Sequence, residues 1–213
     1  MKQIVAINAS PRANWNTAAL VQEAAKGAES AGAKVQYYDL YKLEKFTGCI
    51  SCFGCKQQAN LGKCICRDGL APVLEAVRQA DGLIIGTPNY LGDVTAGFRA
   101  FYERLFFQYI TYKKEPRSYS KSHIPVLFIM TSNAPEEYYT AEGYGKMVAG
   151  YQGSLSNFIG PTKVLLYGNT LQINDYDRYD WTMFDPAIKK VRHEEVLPRK
   201  KQEAFQLGSE MVR

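Results

Sequence analysis

The polar residues that follow the apolar run at residues 4–7 have side chains suited to binding an anion. Ser10, Asn14, Asn16 and Thr17 are short and polar, and Arg12 carries a full positive charge. If a strand ends here and a helix begins, the unpaired backbone N–H groups of its first turn add partial positive charge. The spacing matches neither the Gly-rich dinucleotide fingerprint nor the Walker loop. The segment therefore predicts a phosphate site for a mononucleotide, with a plain helix cap at Asn16 or Thr17 as the alternative.

All five cysteines of the chain lie between residues 49 and 66. Cys49, Cys52 and Cys55 have the spacing with which three thiolates converge on one [4Fe–4S] core, and Cys64 is the natural fourth ligand. Cys66 competes for that role. Four thiolates would also suit zinc, with only His123 and His193 available as other ligands. A loop of free thiols is the third alternative that the sequence leaves open.

The composition is that of an ordinary globular protein. The chain has 213 residues, 46% hydrophobic and 22% charged, which predicts a single domain over residues 1–213 with a helical tail from about residue 185 to 213. The net charge of +5 is spread out, so no nucleic-acid partner is expected. No secretory segment or membrane-spanning apolar run is recognisable, which predicts a cytoplasmic protein with no membrane partner. Reduced thiols then fit better than a disulfide framework.

Strand-like apolar runs alternate with helical periodicity, which predicts an α/β fold. The expected strands are residues 3–8, 33–38, 82–87, 125–131 and 163–168. The expected helices are residues 17–30, 70–79, 95–107 and part of 141–158. The second run alternates polar and apolar residues like an edge strand, whereas the third to fifth resemble buried central strands. Pro198 is expected to divide the tail into two helices.

A five-stranded parallel sheet of this kind usually has the order 2-1-3-4-5, and ligands bind where the connection direction reverses, between strands 1 and 3. The loop after strand 3 supplies a flat apolar wall suited to an aromatic heterocycle. Its residues are Pro88, Asn89, Tyr90, Leu91 and Gly92. The loop after strand 4 begins with Thr131, Ser132 and Asn133 and could close over the same site.

Three segments in this order, residues 10–17, 88–92 and 97–104, resemble those of the flavodoxin-like NAD(P)H-dependent FMN reductases, and the match spans most of the chain. Residues 48–55 and 62–68 resemble the cysteine-bearing branch that includes iron-sulfur flavoproteins. The resemblance implies a flavodoxin-like three-layer sandwich. It also implies that the isoalloxazine ring contacts residues 88–92 and that residues 131–133 lie near the ring edge. The FMN phosphate would be bound by Ser10, Arg12, Asn16 and Thr17.

The implied activity is hydride transfer from NAD(P)H to FMN, followed by passage of electrons to a small-molecule or protein acceptor. No side chain need act as acid or base, because the chemistry belongs to the cofactor. The cysteine loop is expected to emerge on the same rim as the flavin, that is, at the carboxyl ends of the strands. A [4Fe–4S] cluster in this loop would then exchange electrons with the flavin over a short distance. The alternatives are a non-enzymatic carrier that accepts electrons from ferredoxin and a flavin-free thiol or zinc module. Relatives of this kind are commonly dimers or tetramers, so a homodimer or homotetramer is expected.

Three further features have plainer interpretations. Asp68 is expected to cap the helix that begins near Leu70. Arg99 and Arg104 are expected to be solvent-exposed helix charges rather than cofactor contacts. The aromatic and acidic stretch at residues 174–181 is expected to be a surface arm or a dimer contact.

Overall fold

The computed structural model of the chain describes residues 1–120 and 123–213, and five strands and five α-helices alternate along these residues. The strands are β1 (Gln3–Asn8), β2 (Lys34–Asp39), β3 (Gly82–Pro88), β4 (Val126–Thr131) and β5 (Thr162–Tyr167). The helices are α1 (Asn16–Ser30), α2 (Ala71–Gln79), α3 (Ala96–Tyr109), α4 (Tyr144–Phe158) and α5 (Pro186–Glu210). Every strand predicted from the sequence is confirmed to within one residue at each end.

The strands form one sheet in the order β2-β1-β3-β4-β5, and every neighbouring pair is parallel. The predicted fold class and strand order are confirmed. β1 lies between β2 and β3, so the connections leave it in opposite directions and open a crevice at the carboxyl ends of the strands. β2 is an edge strand, as its alternating pattern predicts. β5 lies at the opposite edge, so its assignment to the buried centre of the sheet was wrong.

Successive side chains of β1 enter two different cores. Val5 and Ile7 pack with side chains of α2, α3 and α4 on one face, whereas Ile4 and Ala6 pack with α1 and α5 on the other. The result is the predicted three-layer sandwich, because each face of a parallel sheet must be covered. None of the helices in the described ranges is long and apolar enough to cross a bilayer.

The tail forms one continuous helix, α5, so the prediction that Pro198 divides it was wrong. A proline inside a helix removes one hydrogen bond and costs about 3 kcal/mol. Contacts on both sides of it hold α5 together: Lys189 and Arg192 bind the loop after β4 on one side, and Ala204 packs fully buried against α1 on the other. Tertiary contacts therefore override the local preference.

α1 and α5 cross with unusually close backbones. A Cβ added at Gly208 would lie 1.9 Å from the carbonyl oxygen of Ala24, and one added at Gly27 would lie 1.9 Å from that of Phe205. Each helix thus presents a glycine to the backbone of the other. The tail is locked to the helix that begins at the predicted phosphate loop.

Candidate functional site

A pocket of about 530 Å³ opens at the carboxyl ends of β1, β3, β4 and β5. Ten of the thirteen residues predicted to bind the cofactor line it: Ser10, Arg12, Asn16, Thr17, Pro88, Asn89, Tyr90, Thr131, Ser132 and Asn133. Of the other three, Asn14 is exposed, Leu91 lines an adjoining cleft, and Gly92 lines neither. We call this space the rim pocket.

The first wall of the rim pocket is a turn that leaves the start of α1 accessible. Asn8 is fully buried, with its Nδ2 donating to Asp39 Oδ1 at 2.8 Å and its Oδ1 accepting the Ser10 N–H at 3.1 Å. Ser10 Oγ in turn accepts the Arg12 N–H. Among the described residues, no side chain caps α1, and its first turn contains no acidic residue. The helix end therefore keeps the partial positive charge that favours an anion.

The loop after β5 forms a fourth wall that the sequence interpretation missed. Thr170, Leu171 and Gln172 line the rim pocket. The Leu171 carbonyl accepts hydrogen bonds from Trp15 Nε1 at 3.0 Å and Asn16 Nδ2 at 2.8 Å. Arg12 donates to the Gln172 carbonyl. This wall could have been predicted from the position of its loop, because β5 is parallel to the other strands and must end at the same edge of the sheet.

Two buried acceptors in the rim pocket have no hydrogen-bond partner among the described residues. They are Asn16 Oδ1 and Gln172 Oε1. A buried polar atom without a partner costs free energy, so each such atom indicates a missing ligand or water. Hydroxyl groups of a bound molecule would satisfy both acceptors.

The loop after β3 is a tight turn fixed by its own side chains. Asn89 Oδ1 accepts the Gly92 N–H at 2.9 Å, and both Leu91 and Gly92 adopt left-handed backbone conformations, with φ of 55° and 84°. The Asn89 N–H donates to the Thr131 carbonyl, and Thr131 Oγ1 lies 2.7 Å from Thr17 Oγ1. These contacts join three of the walls, while Leu91 projects into solvent.

Lys189 of α5 is a second residue near the rim pocket that the sequence interpretation did not identify. Its Nζ donates to Asn133 Oδ1 at 2.7 Å and to the Asn133 carbonyl at 3.0 Å. Burial, with a smaller contribution from the charge of Arg192, lowers the pKa of Lys189 to about 8. Lys189 therefore holds Asn133, one of the residues predicted to lie near the ring edge, in a fixed position. It was missed because a pair of adjacent lysines in a helical tail is typical of a solvated face, whereas Lys189 is buried.

The five cysteines line a second pocket together with Arg104, Phe107 and Gln108 of α3. Ser51 and Phe53, on either side of Cys52, adopt left-handed backbone conformations with φ of 52° and 57°. Such residues turn the chain sharply, which brings neighbouring side chains of the loop towards one space. We call this space the cysteine pocket.

The cysteine pocket lies beside the C-terminal half of α3 rather than at the rim. Thr95 caps the other end of this helix and donates to the Ala9 carbonyl at the rim. Arg104 and Gln108 are nine and thirteen residues further on, roughly 14 to 20 Å along the helix axis at 1.5 Å per residue. The expectation that both sites share one rim was therefore wrong. The long loop after β2 carries the cysteines away from the end of the strand.

Arg104 is buried, so its assignment as an exposed charge was wrong. Its Nη1 lies 2.6 Å from both carboxylate oxygens of Asp68, and its Nη2 donates to the Cys66 carbonyl at 3.0 Å. Burial lowers the pKa of Arg104, but the Asp68 carboxylate and the neighbouring Cys64 thiol raise it above its usual value. Arg99, by contrast, is half-exposed and pairs with Glu103, as expected of a surface charge.

Asp68 has a different principal role from the predicted helix cap. One carboxylate oxygen accepts the Leu70 N–H, but Leu70 itself occupies the cap position of α2. Burial would raise the pKa of Asp68, and the hydrogen bonds and charge of Arg104 more than offset this, leaving the pKa below its usual value.

Tyr176, in the aromatic stretch expected at the surface, is also buried.

All five thiols are free, and among the described residues no three Cys, His, Asp or Glu side chains are already gathered closely enough to hold a metal ion. The thiols nevertheless affect one another. Burial raises the pKa of Cys55, the nearby Cys64 and Cys49 raise it further, and Lys56 opposes the shift. Binding a cluster would therefore require these side chains to move closer together within the pocket that they line.

A five-stranded parallel sheet in this order, with helices on both faces, defines the flavodoxin-like fold. Solved structures with the same fold include an NAD(P)H:quinone oxidoreductase from Methanothermobacter marburgensis, with a TM-score of 0.70, 12% identity and coverage of 100% of this chain and 98% of that one. An FMN-dependent NADH-azoreductase from Bacillus anthracis has a TM-score of 0.68 and 13% identity, and the match covers 99% of this chain and all of the other.

The model of the NADPH-dependent FMN reductase family matches residues 2–139, and the chain belongs to this family. Iron-sulfur flavoproteins are similar to part of it. One from Methanocaldococcus jannaschii is 33% identical over 102 residues, which cover 48% of this chain and 51% of the relative. The one from Methanosarcina thermophila is 28% identical over 102 residues, with coverage of 48% and 51%. The chain thus spans about half the length of these curated relatives.

Proposed function

We propose that the protein is an FMN-dependent oxidoreductase that oxidises NAD(P)H and passes the electrons to a small-molecule or protein acceptor. FMN would bind in the rim pocket, and a [4Fe–4S] cluster held by Cys49, Cys52, Cys55 and Cys64 would lie in the cysteine pocket, within a single domain of residues 1–213. The observation that carries the proposal is the convergence of the loops after β1, β3 and β4 on one pocket at the switch point of the sheet.

Two features of the rim pocket suit FMN. The uncapped start of α1, with Ser10, Thr17 and Arg12 beside it, suits a phosphate dianion. The unpartnered oxygens of Asn16 and Gln172 can accept hydrogen bonds from the hydroxyl groups of a ribityl chain. When bound, FMN supplies hydride and electron chemistry that no side chain of the chain provides.

In the reaction, the residues of this chain would bind the flavin, position it and shield it from water. Asn89 holds the turn after β3 in a fixed shape, and Thr131 ties that turn to the start of α1. Lys189 fixes Asn133 by two hydrogen bonds. Backbone N–H groups held rigidly at the rim can stabilise negative charge without reorganising during the reaction.

The cysteine pocket fits an anionic cluster of iron and sulfide. All five cysteines line it, although in the described residues no three of their thiols are yet close enough to share a metal ion. Two cations lie beside it: Arg104 in its wall, and Lys56, which binds the carbonyls at the end of α3. Thiolate ligands with nearby positive charge are typical of iron-sulfur sites, whose properties depend on net charge and hydrogen bonding. Similarity to iron-sulfur flavoproteins supports the same assignment.

The test is oxidation of NADH and NADPH by the FMN-loaded protein, measured with a quinone or ferricyanide as acceptor. The proposal expects catalysed oxidation of at least one of the two nucleotides. No acceleration of either would overturn the reductase proposal.

A second candidate is a non-enzymatic carrier that accepts electrons from ferredoxin, and the cysteine pocket favours it. The same sample distinguishes the two. Rapid reduction by ferredoxin together with inert nicotinamide nucleotides would support the carrier, and the reverse result would exclude it. A colourless protein after incubation with FMN would instead support a thiol or zinc module.

A further inference from the structure

Two hydrogen-bond donors in the wall of the cysteine pocket have no acceptor. Arg104 Nε and Gln108 Nε2 are buried and unpartnered among the described residues, and both side chains line the pocket. Arg104 is 2% exposed and Gln108 is 1% exposed. Leaving a buried donor unpaired costs about 1–3 kcal/mol, so two in one wall indicate that the pocket is shaped for something that accepts hydrogen bonds.

The other polar atoms of both side chains are fully engaged, which fixes their orientation. Asp68 and the Cys66 carbonyl hold the two Nη atoms of Arg104. Gln108 Oε1 accepts the Cys64 N–H at 3.0 Å. The two free donors are therefore held in place, and neither side chain can turn to find another partner without breaking these bonds.

We infer that Arg104 and Gln108 are positioning residues that donate hydrogen bonds to the sulfur atoms of the cluster and thereby raise its reduction potential. The inference rests on the proposed function, because it requires a cluster in the cysteine pocket. Reduction of the cluster adds one electron and no proton, so one negative charge appears on its sulfur and iron atoms. Donors in the pocket wall that reach the sulfurs would stabilise the reduced form more than the oxidised form.

Gln108 offers the sharper test, because one substitution separates its two functions. In Gln108→Glu, an oxygen can still accept the Cys64 N–H, while the donor is replaced by a charged acceptor. In Gln108→Leu, the donor and the acceptor are both lost without any added charge. Gln58→Glu is the matched control, because Gln58 is exposed in the same loop and receives the same charge in solvent.

The experiment is an anaerobic redox titration of the reconstituted full-length protein with dithionite and mediators, in which the cluster is followed by its EPR signal. Iron and sulfide are quantified in each sample. The expected order of midpoint potentials is wild type highest, Gln108→Leu lower and Gln108→Glu lowest, with Gln58→Glu close to wild type. This readout does not depend on turnover of any substrate.

The outcomes separate the inference from the proposed function. Equal potentials in wild type and both Gln108 variants, with iron present in all, would overturn the inference and leave the cluster in place. Wild-type protein that binds no iron after reconstitution would overturn both. If Gln108→Glu alone loses its iron, the midpoint potential of Gln108→Leu tests the inference instead. A potential equal to that of wild type would overturn the inference, and a lower potential would support it.

Discussion

The guanidinium of Arg104 lies 2.6 Å from the carboxylate of Asp68, and this ion pair joins the C-terminal half of α3 to the end of the cysteine loop. The Arg104 side chain is 1% exposed and the Asp68 side chain 14% exposed, so the pair is largely shielded from water. A buried charge is tolerated only while its partner is present. The pair therefore holds the cysteine loop against the core.

Replacing Asp68 by alanine should destabilise the fold by about 3 kcal/mol, because it leaves the buried Arg104 charge without a counterion. The measurement is urea unfolding of the metal-free protein. Glu23→Ala is the control, because it removes a solvent-exposed pair with Lys26 worth under about 1 kcal/mol. Equal losses of unfolding free energy in the two variants would show that the buried ion pair stabilises the fold no more than the exposed one.

Replacing Arg12 by alanine should weaken the binding of FMN about tenfold or more and leave riboflavin binding nearly unchanged. The reason is that a charge-assisted hydrogen bond to a phosphate is worth about 1.5–3 kcal/mol and riboflavin has no phosphate. Fluorescence titration of the flavin-free protein with both ligands measures this ratio. Arg117→Ala, at an exposed site, should change neither affinity. Parallel losses for the two flavins would place the phosphate elsewhere.

Replacing Gly208 by alanine should destabilise the protein by about 1–3 kcal/mol, because the new methyl group would collide with the Ala24 carbonyl and force α5 away from α1. Gly153→Ala is the matched control. Its Cβ would meet no atom within 4 Å, so this change in α4 should stabilise by about 0.5–1 kcal/mol. Thermal unfolding of both variants tests the contrast, and a neutral Gly208→Ala would contradict the close crossing.

Lys189 should make stability rise with pH between about 8 and about 10. Its pKa is lowered from 10.5 to about 8 in the folded state, so over this interval the unfolded chain binds more protons than the folded one. The penalty for burying the charged form is present below pH 8 and is relieved as the pH rises. Above about pH 10, tyrosines with raised pKa, such as Tyr167 at about 12, act in the opposite direction.

The check on Lys189 is the pH dependence of urea unfolding for wild type and Lys189→Met. The variant should lack the rise between pH 8 and 10. Lys201→Met, at a tail lysine that lines neither the rim pocket nor the cysteine pocket, serves as the control and should keep the rise. A variant curve parallel to that of wild type would mean that Lys189 is not responsible for the rise.

The sheet could be predicted from the sequence because its central strands are short apolar runs with a fixed period, and parallel connection rules leave few orders. The residues that line the rim pocket could be predicted in the same way, since each loop begins where a strand ends. What could not be predicted depends on contacts between distant segments. The burial of Arg104 depends on Asp68, 36 residues away, and the continuity of α5 through Pro198 depends on its packing against α1.

The position of the cysteine pocket was missed for a related reason. A loop of more than thirty residues separates β2 from α2, and nothing in its local pattern fixes where it packs. In the structure, Lys56 binds the carbonyls at the C-terminal end of α3 and Gln108 accepts the Cys64 N–H, which anchors the loop there. Side chains that bind backbone groups of another element leave no periodic signal in the sequence.

The most direct measurement is the absorption spectrum of protein purified without oxygen, with FMN, iron, sulfide and zinc quantified in the same sample after reconstitution. We expect about one FMN and about four irons and four sulfides per chain, with the iron lost in Cys55→Ala and the FMN retained. A protein that binds no flavin would contradict the rim pocket as an FMN site. Flavin without iron, or with zinc in its place, would contradict the cluster.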